Sequence, residues 1–365
     1  MKDIEVIAKI ESSFRKQAQM DEKVKNAYLL LYSDKLKLNL DIAEGETEGI
    51  KANINQPNHL ASVGKLFTAT IISILYERGQ LDFNEKISQY LDSELMHQLH
   101  FFKGKDYSNQ ITIRHLLMQT SGLNDVFFHL LKKMIDDPEF STTTTEAIIW
   151  GKDNLKPVAI PGRRHFYTDT NYYLLGLIIE KLTNKAFHEV VHEFLFDPLN
   201  MKNAYVHGFT KPKIKSAYPT AKLYMRGYDL LSIKGVHQID YAGGSIIAPL
   251  AEYLIFMKAL AGGKIIKKET LDKMINDDIY MGFPTIGFRY GYSIWKPITI
   301  PIILPSQYKC WGCVGVTGAF MFYHPLTESY IIGTFNDFSY RGKALDFMVK
   351  KVIKELLNYK KANAL

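Results

Sequence analysis

The C-terminal segment carries the pattern that most limits how this chain can fold. Leu345, Met348, Val349, Val352, Ile353, Leu356 and Leu357 fall at i, i+3, i+4, i+7, i+8, i+11 and i+12. That spacing draws one continuous apolar stripe along a helix. Such a stripe needs a flat apolar partner, and the sequence supplies one. "NAYLLLYSDKLKLNLDIAEG" (26–45) reads as two strands around a polar turn at Ser33–Lys35, and strand character returns at "GFRYGYSIW" (287–295), "CVGVTGAFMFYH" (313–324) and "ESYIIGTFND" (328–337). A sheet built from the first two strands and the last three brings both chain ends into one lobe. The expectation is an α/β chain of the α+β type. Residues 1–80 and 215–365 form the sheet lobe, and 81–214 are inserted as a mainly helical lobe.

The middle of the chain fits that insertion. "TIRHLLMQT", "TTTTEAIIWGKDN", "NYYLLGLIIEKLT" and "AFHEVVHEFLF" are helical in pattern, with punctuation at Pro138, Pro157, Pro161–Gly162 and Pro198. No window approaches the roughly 18 apolar residues of a membrane span, and the N-terminus lacks the apolar core of a secretory signal, which points to the cytoplasm. The formal charge of +7 is spread over "KPKIK", "KIIKK" and terminal lysine pairs with acids between them, a solvated surface and not a nucleic-acid footprint. Cys310 and Cys313 make a lone C-x-x-C without the strand-to-helix context of a redox pair or a second pair of zinc ligands, so two reduced thiols in a strand are expected. No metal-ligand cluster stands out and no cofactor is implied. The oligomeric state is not legible.

S-x-x-K occurs four times: Ser13–Lys16, Ser62–Lys65, Ser293–Lys296 and Ser306–Lys309. Ser13 sits in a charged N-terminal helix, Ser306 in a proline-punctuated loop, and Ser293 in a strand-like run that would send Lys296 to the opposite face. Ser62 alone opens a helix (62–78, closed by Arg78 and Gly79) whose other positions are apolar: Val63, Leu66, Phe67, Ile71, Ile74 and Leu75. There hydroxyl and amine share a face within hydrogen-bond reach. Both the apolar setting and the helix N-terminus disfavour an extra proton on the amine. Gly64 is expected to keep the ground beside the hydroxyl clear. A lysine-assisted serine needs a second proton carrier for the leaving group. Tyr167, with Asp169 two residues on, precedes an apolar helix that Thr170 or Asn171 is placed to cap. Tyr107-Ser108-Asn109 and Tyr32-Ser33-Asp34 have the same shape but lie in a charged loop and a turn.

These segments, in order, resemble a known family. "HLASVGKLFTATIISILYERGQLDFNEKISQYL", "ITIRHLLMQTSGL", "FYTDTNYYLLGLIIEKLT…FLFDPLNM" and "DYAGGSIIAPLAEYLIFMKALAGGKII" are similar to serine hydrolases of the class C β-lactamase and D,D-peptidase type, including penicillin-binding-protein-like esterases, D-aminopeptidases and acyltransferases. The resemblance runs from about residue 26 to 336. It implies an antiparallel sheet between terminal helices, a helical lobe alongside and a cleft between them. It also implies that Ser62 is the nucleophile, Lys65 its amine partner and Tyr167 the general base/acid, acting on a small-molecule acyl substrate. The Ser62 and Val316 N–H groups would form the oxyanion hole.

Two departures from the family pattern bear on substrate. Where relatives carry a Lys or His, a Ser or Thr, and a Gly, this chain has Cys313, Val314 and Gly315; a register at Val316-Thr317-Gly318 keeps a Thr-Gly but also lacks the cation. Asp169 stands where β-lactamases have Asn, and a carboxylate there holds Lys65 as ammonium while raising the proton affinity of Tyr167. Both departures favour neutral esters, amides or acyl-transfer substrates over an anionic lactam. The alternative is a ligand-binding or sensory protein with a decayed third box. Phe127 and Phe128 are expected either to shape the acyl pocket or to pack in a helix core. "KPITIPIILPSQY" (296–308) reads as loop packing or as a lip over the cleft. His165, two residues before Tyr167, reads as a surface histidine after Arg163 and Arg164, with tuning of that tyrosine as the alternative.

Overall fold

A computed structural model describes residues 2–363. Its main sheet has nine strands, all antiparallel, in the order Ile279–Tyr280, Phe288–Tyr290, Trp295–Pro297, Trp311–Gly315, Ala319–His324, Ser329–Thr334, Asn26–Ser33, Leu38–Thr47 and Ile50–Lys51. The chain ends meet as expected, because Ser329–Thr334 pairs with Asn26–Ser33 in a register that sets Leu30 opposite Ile332. Asn26–Ser33 is buried along nearly its whole length, since both sheet faces are covered. Ala27, Leu29 and Leu31 face a layer made by helix Lys2–Gln19 and the C-terminal helical segments, while Tyr28 and Leu30 face the other core.

The C-terminal stripe lies on that sheet. It runs through three successive helical pieces, Arg341–Phe347, Met348–Ile353 and Lys354–Ala362, the middle one wound wider with i→i+5 bonding. Met348, Val352, Ile353 and Leu356 are fully buried. Each such side chain contributes about 1.5–3 kcal/mol of transfer free energy. Leu345, at the start of the stripe, is partly buried against the same core and also lines a cavity described below.

Residues 313–324 form two strands and not one, because the chain reverses through Val316–Gly318, with Gly318 in the left-handed region at φ +73. The apolar pattern runs on through the turn, which hid the hairpin. Ser293 likewise lies in the turn between Phe288–Tyr290 and Trp295–Pro297, at φ +60 and fully buried, and Lys296 turns to pair with Asp278. Cys310 and Cys313 are free thiols in different cores on opposite faces of the sheet, which rules out a bond between them.

A second, three-stranded sheet joins Asn58–His59, Ile246–Ala248 and Tyr205–Val206. It delivers the chain to helix Gly64–Glu77, buried from Gly64 to Leu75. Helices Thr170–Thr183 and Val236–Gly244 pack against this helix and each other. The segment entering it therefore sits where the sheet lobe meets the helical layer. No described helix is long and apolar enough to cross a membrane.

Candidate active site

Ser62 lies within a 3-10 turn, Ala61–Val63, and Lys65 is the second residue of the α-helix that follows. The serine is thus one turn ahead of the helix and not its first residue. Lys65 has no exposed side-chain surface and donates to Ser62 Oγ at 3.0 Å, to the Gly243 carbonyl at 2.8 Å and to Asp169 Oδ1. Three acceptors match the three donors of an ammonium. A Lys65 that had given up one proton would still bond all three partners, donating twice and accepting from Ser62.

Close backbone approaches fix this turn. A Cβ on Gly64 would sit 2.8 Å from Gly244, and one on Gly315 would sit 2.3 Å from the Leu60 carbonyl oxygen. Gly64 therefore accommodates the Gly244 backbone, a different service from clearing space beside the hydroxyl. Ala61 itself is held at φ +49, in the left-handed region.

Tyr167 interacts with the Ser62 side chain, and Lys65 Nζ lies 5.2 Å from the centre of the tyrosine ring. Burial pushes the phenol well above its ordinary range, the Asp169 charge adds to this, and the interaction with Ser62 opposes it. Tyr167 thus keeps its proton at neutral pH. Asp169 occupies the N-cap position of helix Thr170–Thr183 but makes no cap bond, because its carboxylate is turned to Lys65. Neither predicted cap acts either. Asn171 is buried and tied to Gln119 and Ser121, and Thr168 instead accepts from the Thr170 amide. Burial raises the Asp169 carboxyl while Lys65 pulls it down. Asp125 accepts from the Asp169 amide at 2.8 Å, and burial followed by the Asp169 charge pushes its carboxyl up to about 7.

These groups open into a cavity of about 450 Å³. Ser62, Tyr167, Asp169, Phe127, Phe128, Val314, Gly315 and Val316 all line it. Cys313 does not. It is fully buried beneath the serine, where its thiol donates to the Ser62 carbonyl at 3.3 Å, and burial pushes that thiol up to about 12. The 296–308 segment does not line the cavity either. Ile300, Ile302 and Ile303 are exposed, and the rim is made by Met281, Phe283, Pro284 and Thr285.

Sequence reasoning missed several lining groups. His165 is not a surface histidine: it faces the cavity with its ring 5.1 Å from Tyr290, its Nε2 is buried without a partner, and burial lowers it to about 4. His59, His207 and Asp240 line it as well. The "TSGL" and "DYAGG" segments flanked Asp125 and Asp240, but only folding aims those carboxylates inward. Among the described residues no group of three or more His, Cys, Asp or Glu side chains is placed to hold a metal ion.

Both terminal helices pack together on one face of the nine-stranded antiparallel sheet and the helical layer on the other, so the sheet is not sandwiched between the terminal helices as expected. This sheet, with a Ser–Lys–Tyr cluster where it meets the helical layer, defines a β-lactamase/transpeptidase-type fold. The Beta-lactamase family profile matches residues 41–351, and the chain belongs to that family. Protein flp of Staphylococcus aureus (strain MW2) is 30% identical over 161 residues, covering 42% of this chain and 29% of that protein. The chain spans about half or less of the length of the curated relatives it matches. Among solved structures, D-amino acid amidase from Ochrobactrum anthropi SV3 superposes with a TM-score of 0.79 at 19% identity, over 97% of this chain and 99% of that one. EstCE1, a hydrolase with promiscuous acyltransferase activity, gives 0.74 at 17% identity, over 97% and 98%.

Proposed function

We propose that the chain is a serine hydrolase that acts on small esters or amides through an acyl-enzyme at Ser62. The observation that carries this reading is the convergence of Ser62 Oγ, Lys65 Nζ at 3.0 Å and the Tyr167 hydroxyl on one cavity. Lys65 first passes one ammonium proton to Asp169, then takes the Ser62 hydroxyl proton as Ser62 attacks the carbonyl, while Tyr167 gives its own proton to the leaving group and is reprotonated from Lys65. The Ser62 and Val316 N–H groups receive the oxyanion, and water or another acceptor resolves the ester. Asp169 holds Lys65 in place. Phe127, Phe128 and Val314 contact the acyl group. Cys313, protonated and below the cavity, supports the Ser62 turn. A D-amino acid amidase and a hydrolase with promiscuous acyltransferase activity share the fold, which supports this reading.

A second reading, a cleft that binds ligand with little turnover, is favoured by the apolar Cys313–Val314 pair in the third box. Intact-mass labelling with a fluorophosphonate and a penicillin, side by side, separates the two. The hydrolase reading expects a single fluorophosphonate adduct at Ser62, lost in Ser62→Ala, and weak penicillin acylation. An unlabelled parent, or equal labelling of Ser62→Ala, defeats it.

A further inference from the structure

The hairpin of strands Phe288–Tyr290 and Trp295–Pro297 ends in apolar surface that the fold leaves uncovered. Just beyond the Phe288–Pro297 pair, the Gly287 carbonyl accepts from the Ile298 amide at 2.7 Å. The segments 281–287 and 298–304 therefore leave the same end of the hairpin side by side. Ile302, Phe283 and Ile303 are 96%, 89% and 78% exposed, the three highest values for large apolar side chains among the described residues. Ile286 and Ile300, on the same two segments, are exposed as well. Single apolar residues scattered over a surface need no explanation, but a group of this kind marks a contact surface.

Local structure holds this group out from the body. Ile300 and Leu304 exchange both backbone bonds at 2.8 Å, closing a tight turn with Pro301, Ile302 and Ile303 at its tip. Leu304 packs against the core under the terminal helices, which anchors the base of the turn. Ile302 sits at φ +72, in the left-handed region that a β-branched residue rarely adopts. Strain and exposed apolar area thus fall on one residue, and neither adds to the stability of the fold. The surface is also continuous with the cavity: Phe283 belongs to both, and Met281, Pro284 and Thr285 beside it line the cavity.

Charge around this surface has one sign. From Ile279 to Thr327 the sequence has no aspartate or glutamate, whereas Arg289, Lys296 and Lys309 fall inside that stretch. Arg289 and Lys296 face each other across the hairpin and share the Asp278 carboxylate, so the pair keeps a surplus positive charge. Lys309 is exposed, and so is Arg341, which lines the cavity. Exposed isoleucine and phenylalanine among unopposed cations match an interface of anionic headgroups over hydrocarbon. A second copy of this chain would bring the same positive charge to the contact, which disfavours pairing through this face.

We propose that the apolar segments 281–287 and 298–304 dock the protein on an anionic lipid surface, with the cavity opening at the contact so that acyl donors enter from the lipid phase. The nature of what enters rests on the hydrolase reading. The docking does not.

The test is co-sedimentation of the full chain with vesicles of phosphatidylglycerol and phosphatidylcholine in equal parts, and with vesicles of phosphatidylcholine alone. The surplus cations predict binding to the mixed vesicles at least about 10-fold tighter than to the neutral ones, weakened by added salt. Ile302→Asn and Ile303→Ser together remove the apolar tip without changing charge, and should weaken binding at least about 10-fold. Asparagine tolerates a left-handed backbone, so the melting transition of this double variant stays level or rises. Neither residue lines the cavity, so fluorophosphonate labelling of Ser62 is unchanged. Ile286→Ser, on the other segment, is the independent variant and should weaken binding about 5-fold. No binding to the mixed vesicles, equal binding to neutral ones, or undiminished binding of either folded variant overturns the proposal. A parent that is dimeric in light scattering, and monomeric in the double variant, assigns the face to a second copy and overturns it too. Vesicle binding without a fluorophosphonate adduct refutes the hydrolase reading and leaves the docking surface standing; labelled protein that ignores vesicles does the reverse.

Discussion

Replacing Lys65 with methionine keeps roughly the same volume and removes a charge that has no exposed side-chain surface. Asp169, only 16% exposed, is then left without its counter-ion. Breaking a buried pair in this way costs about 3–5 kcal/mol, mostly the penalty of the stranded partner. With an unfolding entropy of about 2.1 cal/mol/K per residue, a chain of this length loses about 4–6 °C in Tm. The informative comparison is the double variant Lys65→Met with Asp169→Asn, which strands no charge. It should recover at least about 2 kcal/mol relative to the summed single costs. Urea denaturation of the four proteins gives the coupling, and fluorophosphonate labelling follows the chemistry. Both variants that lack Lys65 should label far more slowly than the parent, whatever their stability. Single costs that add to within about 0.5 kcal/mol would refute the buried ion pair as drawn.

Tyr167→Phe should lower turnover of p-nitrophenyl acetate about 10²- to 10⁴-fold while barely moving the melting transition, because its side chain lines the cavity beside Ser62. Gly315→Ala places a Cβ 2.3 Å from the Leu60 carbonyl oxygen, so a loss of about 1–3 kcal/mol together with slower Ser62 labelling is expected in denaturation and mass measurements. Cys313 should resist iodoacetamide at pH 8 until the protein is unfolded, since its buried thiol is pushed up to about 12; rapid native modification would contradict its placement. His165 and His207 are both lowered to about 4, so the unfolded chain binds more protons between about pH 4 and the ordinary histidine value near 6.5. Stability should therefore fall as pH drops through that window, and His165→Gln should flatten the fall in pH-dependent melting.

The sequence by itself determined the parts whose signals are local. The stripe from Met348 to Leu357 and the alternating strands at both ends required a shared sheet, because each buries a face that only the other can cover. That Ser62, Lys65 and Tyr167 would come together was legible because helical spacing and the order of the segments survive in one dimension. What only the tertiary structure decided depends on distance across the fold. The hairpin at Val316–Gly318 was masked because the apolar run continues through its turn. Cys313 went below the serine and His165 into the cavity because strand register and chain direction, not residue type, set where each points. A charge's partners, and therefore whether it is cancelled, are fixed by packing between segments far apart in the chain.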